Sequence, residues 1–77
     1  MEIMNNKIDR VGRISGDADF IAKRLNDGSI NKTDALKELV TLEHELSSIT
    51  CNKEEENVME LIELVKAEIK IIKASIN

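Results

Sequence analysis

Seventy-seven residues with 34% charged and 42% apolar side chains and a formal charge of −4 make a single small domain with a heavily charged surface. A core in a chain this short rarely supplies more than about 3–5 kcal/mol, so association with other chains is a common supplement. The acidic balance disfavours general binding to nucleic acid or anionic membranes, and Phe20, the sole aromatic residue, gives no platform for stacking bases or sugars.

The charge is unevenly placed. Residues 1–24 carry five basic and four acidic side chains, and residues 25–77 carry six basic and eleven acidic ones, so only the first segment can present a basic patch. Cys51 is the one cysteine, which excludes an intrachain disulfide and suits a reducing compartment. The opening MEIMNNKIDR lacks the apolar core of a secretory leader, and charges interrupt every apolar run short of the ~20 residues of a membrane span. A cytoplasmic protein is expected. The abundance of Ile, Asn and Lys with no proline is typical of AT-rich genomes, pointing to a low-GC bacterium or one of its phages.

Apolar residues Met4, Ile8, Val11, Ile14, Ala18, Ile21 and Leu25 recur at steps of three and four and predict a first helix over 2–26. Gly12 and Gly16 each weaken a helix interior by about 1 kcal/mol. Ser15, with Asp17 and Asp19 behind it, also fits a fresh N-cap, so a break near 15–17 is the alternative. Asn26-Asp27-Gly28-Ser29 is the clearest punctuation, with Gly28 suited to the left-handed residue that closes a helix. Asn31 as N-cap and Asp34 three residues on open a second helix to about 48. Its seam is Ala35, Leu39, Leu42, Leu46 and Ile49, flanked by Leu36 and Val40.

Asn52, followed by Glu55, predicts the next cap and a third helix over 53–75. Glu54, Glu55 and Glu56 then read as a solvated first turn at the positive end of the helix dipole, with Lys66, Lys70 and Lys73 late in the helix. The seam Val58, Ile62, Val65, Ile69, Ile72 and Ile76 is accompanied by Leu61, Leu64 and Ile71, so about half the circumference is apolar. The expected fold is all-α: a three-helix up-down-up bundle, or a long helical hairpin that self-associates with coiled-coil-like packing. Either way residues 1–77 form one helical domain.

The chemistry-bearing residues do not converge. His44 falls on the outward face of the second helix, and its helical neighbours Val40, Thr41, Ser47 and Ser48 are no metal set. Cys51 has no base beside it and reads as a structural thiol at a helix junction. Lys7, Arg10 and Arg13 step along the first helix as a candidate basic contact face, with Asp9 among them. Leu61, Leu64 and Ile71 form the candidate partner or self-association surface, Leu64 and Ile71 lying on the far side of the third helix from Ile62. No catalytic, metal or cofactor motif is present, so a non-enzyme without cofactor is expected. The sequence favours a protein-binding module that forms homo-oligomers and serves as a small regulator, adaptor or inhibitor. The alternatives are a DNA- or RNA-associated regulator using the basic first helix, and a structural subunit of a larger assembly.

Overall fold

The first turn of the fold is set at Gly28, the only described residue with positive φ, at 80°. The Ser29 amide donates to the Arg24 carbonyl at 2.9 Å and the Gly28 amide to the Leu25 carbonyl at 3.3 Å, the paired bonds that close a helix through a left-handed residue. Asp27 Oδ1 accepts from the Ser29 amide and hydroxyl, fixing the turn from the other side. Asn31 Oδ1 then accepts from the Asp34 amide at 2.8 Å and starts the next helix. The structure is a computed structural model and describes residues 2–76, with side chains described from Asn6 onward.

Three helices result: α1 over Glu2–Asp27, α2 over Lys32–Ser47 and α3 over Glu56–Ile76. Each packs against both of the others in up-down-up order, and among the described residues there is no strand. Of the two expected architectures the three-helix bundle is the one observed, with α1 packed on both α2 and α3. The bundle is a slim rod with extents of 41 × 19 × 15 Å.

The core follows the heptad seams. Val11, Ile14, Ala18 and Ile21 of α1, Ala35, Leu39, Leu42 and Leu46 of α2, and Val58, Ile62, Val65, Ile69 and Ile76 of α3 form one buried cluster with Ile30 and Ile49. Ile8 stands 37% exposed where the bundle begins to open, and the expected seam residue Met4 lies outside the described side chains. α1 runs unbroken through Gly12 and Gly16, because buried Val11, Ile14 and Ala18 anchor both sides of the glycines. Ser15 does not cap; its hydroxyl donates to Glu68 Oε1 of α3 at 3.0 Å. A Cβ at Gly12 or Gly16 would meet nothing within 4 Å, so neither glycine serves a close approach of helices within the chain.

α3 begins at Glu56, three residues beyond the expected start. The Asn52 cap forms, with Oδ1 accepting from the Glu54 amide at 3.0 Å, but it closes a separate turn that ends before the helix. Glu55 carries the correction. Instead of lying in a solvated first turn, it is buried, and its Oε1 accepts from Lys7 Nζ at 2.8 Å and from the Asn52 amide at 3.1 Å.

Candidate functional site

α3 has more apolar surface than two neighbours can cover. Turning about 100° per residue, its core residues occupy one side, and a second series at three- and four-residue steps runs down the other. This series is Asn57, Glu60, Leu64, Ala67, Ile71 and Ala74, and all six are exposed. Leu64 is 67% and Ile71 70% exposed, whereas every other Leu, Ile and Val of α3 is buried or half-buried. Leu61, grouped with them from sequence, lies instead on the α1 flank and packs partly against the core.

Two shallow recesses adjoin this stripe. One is lined by Glu56, Met59, Glu60, Glu63 and Leu64, with Met59 47% exposed. The other lies between α1 and α3, where Ala22, Leu25 and Asn26 face Ile71, Ile72 and Ser75. Charge is graded along the helix: Glu56, Glu60 and Glu63 lie in its first half, and Lys66, Lys70 and Lys73 in its second, with Glu68 the one acidic residue among them. Lys73 is taken up by Glu43 of α2 at 2.9 Å, and Lys66 approaches Glu63 at 3.9 Å. Among the described residues Lys70, Glu56 and Glu60 enter no ion pair within the chain.

Glu68 sits at the edge of the stripe, half-buried between α3 and α1. The Asp19 carboxyl beside it bonds only to its protonated form, and this, with burial, holds Glu68 above the ordinary carboxylate range; the Ser15 hydroxyl acts in the opposite direction. Glu55 is shifted the other way. Its bond from Lys7, then that from the Asn52 amide, holds the carboxyl below the ordinary range, while burial acts in the opposite direction.

The basic residues of α1 are not equivalent. Lys7 turns inward, donating to the Thr50 carbonyl at 2.6 Å as well as to Glu55, while Arg10 and Arg13 are exposed. Arg24, further along, lies 5.5 Å over the Phe20 ring and 3.8 Å from Glu38 of α2. His44 is exposed, and Cys51 is a free, half-buried thiol against the core. No three His, Cys, Asp or Glu among the described residues group to hold a metal, and no described helix is long and apolar enough to cross a membrane.

No protein-family model, curated protein or solved structure matches this chain. The geometry of its surface is thus the guide to its role. The Lys7–Glu55 pair and the Ser15–Glu68–Asp19 group escaped sequence reasoning because their members lie far apart in the chain. The exposed series on α3 left a fainter signal, since Leu64 and Ile71 are its only large apolar members.

Proposed function

We propose that this protein is a non-enzymatic helical module that acts by binding another protein chain along the outer face of α3. The observation that carries this reading is the exposure of Leu64 and Ile71, one heptad apart on a helix whose other Leu, Ile and Val side chains are buried or half-buried. Moving an exposed aliphatic side chain of this size out of water contributes about 1.5–3 kcal/mol, which is the driving force such a contact needs. A role as a small regulator, adaptor or inhibitor fits a chain that presents its two most exposed aliphatic side chains among the described residues on this face.

The test is affinity capture from the native host with quantitative mass spectrometry, comparing the wild type with Leu64→Glu/Ile71→Glu. Far-UV circular dichroism establishes that the double variant keeps its helicity. Captured proteins lost in the double variant support the reading, whereas an unchanged set in a folded double variant refutes it. The nucleic-acid reading draws no support from Lys7, which is committed to Glu55 and Thr50, and rests on Arg10 and Arg13. A gel shift whose affinity falls steeply with salt would revive it.

A further inference from the structure

We propose that the occupant of the outer face of α3 is a second copy of this chain, packed antiparallel about a two-fold axis near Ala67. The proposal rests on the reading of that face as a binding surface and names what binds there. Its basis is the charge along the stripe. An acidic half, with Glu60 on the stripe and Glu56 and Glu63 along its α2-facing edge, precedes a half in which Lys70 lies along that same edge, with the apolar pair Leu64 and Ile71 across the middle. Glu68, on the opposite edge, already accepts from Ser15 of α1. A helix with that polarity is complementary to itself reversed. A parallel copy would set acid against acid and base against base, which opposes association.

The two-fold arrangement satisfies the side chains that the single chain leaves unused. With the axis between Ala67 and Glu68, Leu64 of each copy lies beside Ile71 of the other. The closed pair buries all four exposed aliphatic side chains in an isologous contact. Glu63 of each copy comes beside Lys70 of the other, within about two residues of level, or roughly 3 Å along the axis. That contact occurs twice, and it gives Lys70 the carboxylate it lacks within the chain. Ala67 and Ala74 lie on the same exposed series, and their small side chains allow the helix axes toward the near end of the usual 8–10 Å range. Complementary charges, a central apolar pair and small residues for close approach thus coincide on one stripe.

Sedimentation velocity of the full chain over a hundredfold dilution, with charge-reversal and cysteine variants, tests the arrangement. The wild type should pass from dimer to monomer on dilution. Glu63→Lys alone places lysine against lysine and Lys70→Glu alone places glutamate against glutamate, so each should dissociate at about tenfold higher concentration than the wild type. An equimolar mixture of the two should restore dimer, because every contact then joins opposite charges. Both positions are exposed, and helical far-UV spectra establish that the variants fold.

Orientation is read in a Cys51→Ser background. Ala67→Cys, near the axis, should form an intermolecular disulfide under mild oxidation. Glu60→Cys should not, because antiparallel packing separates the two copies of that residue by about 22 Å, far beyond disulfide reach. Equal cross-linking at both positions would overturn the antiparallel arrangement. Dimerisation of Leu64→Glu/Ile71→Glu at wild-type strength would place the interface elsewhere. A wild type that stays monomeric at every concentration would overturn the second-copy proposal itself. The broader reading of the face would then be decided by whether the same double variant loses captured proteins.

Discussion

Ile69 and Ile71 are two residues apart on one helix and chemically identical, yet they have opposite surroundings: Ile69 is 0% and Ile71 70% exposed. Ile69→Ala removes three buried carbons at about 0.8 kcal/mol each, about 2.4 kcal/mol of transfer free energy. The cavity left in a rod built from tightly seated aliphatic side chains adds to this, placing the total at about 3–4 kcal/mol within the usual range for such truncations. A core in a chain this short supplies about 3–5 kcal/mol in all, so one such side chain accounts for most of its stability. Ile71→Ala deletes the same atoms from a site already in water and should change the stability of the monomer by no more than about 0.5 kcal/mol.

The assay is urea denaturation followed by far-UV circular dichroism at the lowest workable protein concentration, with a parallel series at higher concentration. The Ile69→Ala midpoint should fall sharply at every concentration, with a thermal midpoint about 12–32 °C lower. The Ile71→Ala effect should be negligible when dilute and should emerge only as concentration rises, because mass action couples folding to association. Equal losses for the two variants at all concentrations would mean that Ile71 belongs to the core, refuting the division of α3 into a covered side and an open one.

Other outcomes follow from the turns and the carboxylates. Gly28→Ala should destabilise by about 1–2 kcal/mol, because the side chain is forced into the left-handed region at φ 80°, whereas Gly12→Ala and Gly16→Ala should each stabilise by about 0.5–1 kcal/mol; thermal melts compare the three signs directly. Glu55 is held below its ordinary pKa, so its contribution is present above the ordinary carboxylate range and is lost as pH falls through the folded value. Glu55→Gln should therefore melt below the wild type at pH 7 and converge with it in acid. Glu68 is held above its ordinary pKa, so its contribution is complete in acid and is lost as pH rises through the folded value. Glu68→Gln should melt above the wild type at pH 7, and the two should approach each other as both become neutral.

The helical seams were legible in the sequence because a side chain's place on a helix depends only on its spacing from its neighbours. Val58, Ile62, Val65 and Ile69 could occupy one side in no other way. Gly28 was legible for a similarly local reason, since the bonds it enables join residues no more than five apart. The start of α3 was misplaced because Asn52 caps a single turn with the same residues that would cap a helix. What decides between them is Lys7, 48 residues away, which draws Glu55 inward. The Glu68 group was hidden for the same reason: its Ser15 partner lies 53 residues off, on a helix whose continuity was itself in question. The exposed stripe fell between these cases. Its apolar pair could be read from angle alone, but its exposure depended on where α1 and α2 chose to sit.

The inward turn of Lys7 has a further consequence for the order in which the rod comes apart. Below Val11, α1 has no fully buried apolar side chain among the described residues, and Ile8 is 37% exposed. Among the described residues below Val11, Lys7 ties the helix down through one ammonium group, shared between the Thr50 carbonyl and the Glu55 carboxylate. The middle of the rod is held by hydrocarbon, which is indifferent to protons. Amide exchange should therefore divide the molecule in two as the solution is acidified: protection around Leu39, Leu46 and Ile69 should follow global unfolding, while that of residues 6–10 and 52–56 should fade earlier and together. The lower end would behave as a proton-released clasp on a body that stays folded.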